Sequence, residues 1–487
     1  MMKPITLTEK KLTEANYQFV FPFSIQRGKE DDLVANLKEK GYKWFRLDHL
    51  DNEDDYYGRY EINHESLENY YLPFTNRILF PKKEDGKGFQ RYSKKFDINS
   101  TFHTKGNSTN FFINSIDITV CPYQLGFLTL RIQLSNPDQT PLSEAIDFAS
   151  TFRIIEPKDS IYKIEHRGEH FEQVEEYLFK EVIPGITEFM ERSSEKSAYF
   201  ESFPFFEDNR FYVSSLIALE HNEKIEESDL FRLGNLDGYK PNGSPHISAN
   251  NQSFLSTYID KNVYTRWGPN TYYITEEHGF SCLTTDSGEE LKEIGSSFYG
   301  EYYYGLLLTL FHKIILLKLS NQYSNIRIEQ DTKKVEKLIH AINAFSSNYF
   351  FFELATQSQG RDIFTQLRKM FKIEQLFEDT RNTLESLYQY QDNFTSKQSG
   401  ILLQILTLYS VITGIFGMNL AIEELKGKFE WGKIMHSYSV FEYIALFVTF
   451  TGVIISIVLT VHFFYVWYHD KKNRKKWRKQ IEYPNTK

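Results

Sequence analysis

Cysteine is scarce in this chain of 487 residues, and proline is missing from most of its C-terminal half. The two cysteines, Cys121 and Cys282, allow one bridge at most and have no metal-site spacing. That excludes a disulfide scaffold and fits a reducing compartment. No proline occurs between Pro269 and Pro484, so long helices can run there without that interruption. Walker loop, HExxH, CxxC and nucleophile elbow are all missing. Without them the common routes to hydrolysis and thiol chemistry are closed, and the chain is not expected to be an enzyme. The opening residues MMKPITLTEKK contain no apolar segment, so no signal peptide is expected to be removed. One histidine pair, in Glu165-His166-Arg167-Gly168-Glu169-His170, has a spacing that can bind metal on a helix. Gly168 between the two, and the want of further spaced ligands, make it the solvated start of a helix instead.

The averages describe an acidic, soluble protein: 25% charged residues, a formal charge of −9 and a mean hydropathy of −0.46. Two stretches depart from them. Gln398–Ile422 and Tyr443–Tyr468 carry no formal charge, with His462 taken as neutral. About 20 apolar residues cross a bilayer, so each is long enough to span one. Lys471, Lys472, Arg474, Lys475, Lys476, Arg478 and Lys479 follow the second stretch. Setting those seven aside takes the remainder from −9 to −16, which argues against direct nucleic-acid binding. The same basic tail predicts a cytoplasmic C-terminus, and two spans return the large N-terminal part to that side. The expected location is the cell (inner) membrane of a prokaryote, with both termini cytoplasmic and the lipid bilayer as a partner.

Residues 1–300 read as a mixed α/β domain. Ile116–Val120 and Phe127–Leu134 alternate with period two around the turn residues Cys121–Gly126, which predicts a hairpin. Ser143–Phe152 and Glu169–Ile183 read as helices, the second stopped by Pro184-Gly185. Glycine, asparagine, serine and proline crowd residues 234–288, which predicts loops inside a folded domain and a possible seat for binding groups. Tyr302–Leu319 is apolar enough to imitate a third span. Lys313 and Lys318 make it a buried helix of the soluble domain, because a lysine at the bilayer centre costs roughly 2.5–3.5 kcal/mol. Residues 301–397 then form a helical stalk with apolar residues at Val335, Leu338, Ile339, Ile342 and Phe345, and again from Phe364 to Leu387. One helix from Arg361 to Leu420 would run about 90 Å, from the soluble domain into the membrane. The remaining divisions are a first span over 398–421, an outer loop over 422–440, a second span over 441–468 and a basic tail over 469–487.

Within the first span, Gly400, Gln404, Thr407, Ser410, Gly414 and Gly417 recur every three or four residues as a small, polar stripe. Several copies around an axis would enclose a pathway; a helix–helix packing face is the other reading. The span closes on Gly417-Met418-Asn419. Gly-Met-Asn at the outer end of the first of two C-terminal spans, with a short loop and a basic tail, resembles the CorA family of divalent-cation channels and transporters. The resemblance covers roughly Tyr302 to Lys479 and is architectural before that. Departures are the loop Leu420-Ala421-Ile422-Glu423-Glu424-Leu425, which lacks the family's proline, and the absence of a proline within the first span.

The resemblance implies an α+β membrane protein that assembles as a funnel-shaped homopentamer. Its first spans would line one pore with Asn419 in a ring at the outer mouth, and Gly417, Met418 and Asn419 would form the selectivity filter. The transported ion would be Mg²⁺ or another divalent cation, with no organic cofactor. Asparagine suits Mg²⁺, which sheds water reluctantly and is best recognised hydrated. Glu423 and Glu424 could concentrate cations at the mouth or be ordinary loop charges. Glu374, Glu378 and Asp379 could hold a regulatory cation between subunits or, among Arg368, Lys372 and Arg381, form a charged outer face. Two other functions keep this architecture. Some CorA-like proteins accompany type III CRISPR systems, where a nucleotide second messenger gates an antiviral membrane effector. Arg232, Lys240 and Arg266, with His246 and Lys261, are then the candidate phosphate-sensing residues. A non-conducting membrane scaffold is the third reading.

Overall fold

The alternating segments assemble into one large sheet. The computed structural model describes residues 5, 7–50, 56–84, 87–104, 106–157, 162–191, 210–326 and 332–424, and individual positions between 439 and 468. Side chains are described throughout except at 332, 394–395, 397–398, 412–413 and 415–424. Eleven strands are present among these residues: β1 (Leu12–Ser24), β2 (Lys43–Trp44), β3 (Gln90–Thr104), β4 (Ser108–Cys121), β5 (Leu125–Leu134), β6 (Tyr162–His166), β7 (Glu169–Phe171), β8 (Tyr212–Leu219), β9 (Val263–Trp267), β10 (Thr271–Thr275) and β11 (Gly279–Thr284). Their order is β7-β6-β3-β4-β5-β1-β8-β11-β10-β9, with β2 paired to β3, and every pairing is antiparallel except β8–β11. The N-terminal region is therefore α+β in character.

The hairpin expected around residue 121 is β4–β5, paired from Cys121↔Leu125 back to Phe111↔Leu134 with a register shift between Ser115 and Ile113. Its turn holds Tyr123 and Gln124 in the left-handed region, at φ 64 and 59. The polar positions of the alternation do not face water. Tyr17, Phe19 and Phe21 of β1 lie on one face, where Tyr17 and Phe19 meet Phe148 and Phe152 of α4 (Leu142–Phe152, after α1 Glu30–Glu39, α2 His64–Tyr70 and α3 Pro73–Leu79). On the other face Arg91, Asp117, Thr129 and Arg131 are fully buried. Both faces being covered, the strands read as continuously buried.

The remaining helices are α5 (Val174–Glu176), α6 (Glu227–Asn235), α7 (Gln252–Asn262), α8 (Glu289–Tyr299), α9 (Glu301–Ser324), α10 (Thr332–Asn348), α11 (Ser358–Met370) and α12 (Ile373–Glu424). Helix α9 covers the polar face of the sheet. Tyr304 and Tyr57 accept hydrogen bonds from Arg91 at 2.8 and 2.9 Å, and Tyr303 shares one with Thr129 at 2.9 Å. The Asp117 carboxylate sits between the Arg91 and Arg131 guanidiniums, 2.7 Å from each. Burial pushes its carboxyl up, but the two guanidiniums prevail and hold it below the usual range. The net positive charge left over faces aromatic rings, with Arg91 4.3 Å from the centroid of Phe45 and Arg131 5.0 Å from that of Tyr57.

The reading of Tyr302–Leu319 as a core helix agrees with its position. Residues 289–324 are long and apolar enough to cross a bilayer, yet 78% of the apolar window is buried inside the fold. Lys318 reaches the Tyr123 carbonyl at 2.9 Å, and Lys313 lies 4.7 Å from the Phe371 ring centroid.

Four expectations are corrected. Glu169–Ile183 does not begin as a helix: Arg167-Gly168, at φ 51 and 84, turns β6 into β7, and helical structure begins at Val174. His166 is consequently buried against Ser100, while His170 faces solvent on the hairpin's other side. Residues 234–288 are loop over 236–251, as expected, but from Gln252 onward they hold α7, β9, β10 and β11. The helix expected from Arg361 to Leu420 is broken at Lys372, whose φ of 55 lies in the left-handed region. The long helix therefore starts at Ile373. It runs 52 residues to Glu424, about 78 Å, and takes in the first residues assigned to the outer loop. The histidine pair accordingly flanks a hairpin turn and does not start a helix; Gly360 lies in the first turn of α11, where a Cβ would strike the Tyr70 ring.

His312, buried on α9, donates from Nε2 to the Tyr349 carbonyl at 2.7 Å. Burial, reinforced by the charge of Arg368, lowers its pKa to about 3. The unfolded chain therefore takes up this proton more readily between pH 6.5 and 3. Stability from the neutral ring is complete above 6.5 and declines as pH falls, by on the order of 1.4 kcal/mol per unit. The melting temperature of His312→Gln, measured from pH 7 to 4.5, is expected to fall less steeply than that of the parent.

Candidate functional site

The N-terminal part of α12 packs on the fold by a helical repeat. Ile373, Thr380 and Leu387 are buried, Leu376, Phe377 and Leu384 partly so, and Phe377 stacks on Phe350 at 3.8 Å. The helix then changes character. Ile401, Leu402, Leu403, Ile405, Leu406, Leu408 and Val411 are all exposed. Consecutive residues on a helix point about 100° apart, so these side chains face every direction. No single packing partner could cover them.

Gly400, Gln404, Thr407, Ser410 and Gly414 are helical and exposed on this segment. Among the described residues nothing lies within 4 Å of where a Cβ would stand at Gly400 or Gly414, so no close approach there accounts for either glycine. The Thr407 hydroxyl donates back to the Leu403 carbonyl at 2.7 Å. The repeat from Gly400 to Gly417 averages about 3.4 residues, near the 3.5 of helices that stay in register around a common axis. Gly417, Met418, Asn419, Glu423 and Glu424 continue the helix, and the side chains of Met418, Asn419, Glu423 and Glu424 lie outside the described residues. So do the rest of the outer loop and the basic tail. Val440 and Phe441 just before the second apolar stretch, and Ile444, Phe447, Phe450, Ile454 and Ile457 within it, are helical and exposed.

The candidate regulatory carboxylates do not gather. Glu374 pairs with Arg368 at 2.6 Å and Glu378 with Arg381 at 3.4 Å. No group of three or more His, Cys, Asp or Glu residues able to hold a metal occurs among the described residues. A cation site made within one chain is therefore not supported by Glu374, Glu378 and Asp379.

The candidate phosphate-sensing residues are held by different elements. Arg232, on α6, is fully buried. It donates to the His246 carbonyl at 2.7 Å, the Gly238 carbonyl at 3.3 Å and the Ser143 hydroxyl. Its work is to fold the 236–246 loop onto α4. Lys240 is exposed on that loop, while Arg266 is exposed on β9 and donates to Ser358 of α11 at 3.0 Å. Sequence reasoning also passed over a basic run, Arg77, Lys82, Lys83 and Lys87, whose density within eleven residues was the available signal.

No protein-family model matches the sequence, and no curated protein matches it.

Arg232→Met would take the donor from the His246 carbonyl, while the Gly238 carbonyl keeps the His246 N–H and Ser143 keeps Glu9, and is expected to lower stability by about 1–3 kcal/mol. Lys240→Ala, at an exposed position, should change it by less than about 0.5 kcal/mol. Thermal melts of the full chain in detergent check both.

Proposed function

We propose that the chain is a CorA-like channel for divalent cations, with Mg²⁺ as the ion carried, acting as a homopentamer in the cell membrane. The observation that carries this reading is the segment after Ser399: a helix with exposed apolar side chains around most of its circumference, one stripe of small and polar residues, and no acidic or basic side chain before Glu423. Exposed apolar side chains of this number would cost on the order of 10 kcal/mol in water, and lipid removes that cost. The stripe has no use against lipid, but it is suited to a central aqueous path when several copies converge. A near-3.5 repeat keeps it facing the axis. The second exposed apolar helix would form an outer layer, and the basic tail would hold both termini in the cytoplasm.

The conduction chemistry follows from the residue types. Amide oxygens in a ring at Asn419 accept hydrogen bonds from water bound to Mg²⁺ without replacing it. Selection then rests on the size of the hydrated ion and on dipoles rather than on fixed charge. Gln404, Thr407 and Ser410 supply further hydroxyl and amide groups along the path. Gating would act through α12, because the helix that lines the path is continuous with the segment docked on α9. A ligand that prefers one docking arrangement shifts the population toward it.

Divalent-cation flux into proteoliposomes tests the reading. The parent protein is expected to pass Mg²⁺ in preference to monovalent ions. Asn419→Ala should lose that preference while remaining pentameric by mass measurement. Unchanged ion preference in the variant would remove Asn419 from the filter, and a silent parent protein would remove the channel.

A further inference from the structure

Helix α10 carries a basic face beside the stretch where α12 turns apolar. Val335, Leu338, Ile339, Ile342 and Phe345 point into the fold and are buried. Lys333, Lys337 and His340 follow one another at intervals of four and three, so they share the outer side. All three are exposed, as is Lys334 beside them. Lysines outnumber acids three to one on this helix, where the one carboxylate, Glu336, is half-buried. Arg327, Glu329 and Asp331 precede it in the sequence. In a protein of net charge −9 a face of this sign is the exception, and it favours an anionic partner.

Two contacts fix the height of that face. Phe350, two residues past the end of α10, stacks on Phe377 at 3.8 Å, and Asn343 donates to the Tyr388 hydroxyl at 2.8 Å. The two helices therefore run antiparallel, and going back along α10 leads toward the apolar end of α12. Lys333 lies ten residues before Asn343, which is about 15 Å of helix. The same rise along α12 leads from Tyr388 to residue 398, where the charge-free run begins after Lys397. Lys337 stands about 6 Å lower. The lysines thus reach the level at which α12 would enter a bilayer.

We propose that this face of α10 rests on the headgroups of anionic lipids in the cytoplasmic leaflet. The contact rests on the reading of residues 398–421 as a membrane span, because that span sets where the bilayer begins. Lysine suits it: a compact ammonium on a flexible four-carbon stem meets phosphate oxygens without demanding one geometry. Each lysine held at an anionic surface gains on the order of fivefold in binding. Two other occupants fit less well. The chain's own basic tail, from Lys471 to Lys479, would return to the same side of the membrane and is repelled by like charge. A second copy around a common axis would present its α12 at equal height. There Asp392 is the one exposed carboxylate among the described residues, while Glu374, Glu378, Asp379 and Glu385 all stand lower on the helix.

The experiment reconstitutes the full chain in nanodiscs of phosphatidylcholine alone, or with about one third phosphatidylglycerol. Acetylation of Lys333 and Lys337 by a water-soluble reagent is followed by mass spectrometry, with the exposed Lys240 as internal reference. Relative to Lys240, both lysines should react at least about threefold more slowly in the anionic discs, and about 0.5 M salt should remove the difference. The exposed double variant Lys333→Glu/Lys337→Glu should melt like the parent and make the rate at Lys334 the same in both lipids. Equal rates in the two lipids would overturn the proposal. So would slowing that is the same in both and is relieved when the assembly is dissociated, since a second copy would then cover the face. A charge-reversed variant whose Lys334 still responds to phosphatidylglycerol would do the same. Incorporation is read separately, by co-elution with lipid. A chain that fails to incorporate contradicts the spans and this contact together, whereas one that incorporates with unchanged rates contradicts this contact alone.

Discussion

The burial of α9 against the polar face of the sheet is the constraint on which the rest depends. That helix is apolar enough to enter a bilayer, and it stays in the fold because the sheet offers what lipid cannot. Arg91, Asp117 and Arg131 form a charged layer under it, and Tyr303 and Tyr304 bring hydroxyl groups to that layer. Removing one partner from such a cluster would leave a charge buried and uncompensated. Two of the helix's own cationic side chains are accommodated too, with burial lowering the pKa of both Lys313 and Lys318. Helices α8, α10, α11 and α12 all pack on α9, so its position fixes theirs.

From that anchor the fold extends in two directions. On one side, residues 69–74 meet 351–356 beside the first turn of α9. Toward the C-terminus, the docked third of α12 gives way to a segment with apolar side chains around most of its circumference. A signal could pass between the two by way of the segment 349–357, α11 and the left-handed residue Lys372. A break at a single residue is where a helix pair changes angle with least disturbance to either helix. Under the proposed channel function, this is a physical route by which the folded domain would control the pore.

Much of this was legible in the sequence. The β4–β5 hairpin follows from strict alternation around turn residues, α4 and the apolar stripe of α10 from their repeats, and the burial of α9 from two lysines that a bilayer would reject. The exposed apolar segment of α12 was likewise visible as a charge-free run. What escaped had weaker local signals. Arg167-Gly168 is a tight turn, but a helical pattern that followed it was extended backward over β7. Residues 234–288 carry many turn-formers, and their strands are short enough to be masked by them. Lys372 adopts a backbone conformation that nothing in its side chain announces. Arg232 looked like a free cation because its three acceptors come from residues distant in the sequence or from its own loop. The contact of residues 69–74 with 351–356 escaped because more than 260 residues separate the two segments and much of it is made by backbone groups.

The central claim is that one face of the 398–421 helix borders water inside a membrane while the others meet lipid or protein. Both native cysteines are buried, so introduced thiols can be read against a quiet background. Single cysteines placed in turn at residues 400–414 of the reconstituted protein, exposed to a membrane-impermeant thiol reagent, test the claim directly. The account predicts reaction at Gln404→Cys, Thr407→Cys and Gly414→Cys and protection at Ile405→Cys, Leu406→Cys and Leu408→Cys. Equal reaction at all six positions, or protection at all six, would contradict it.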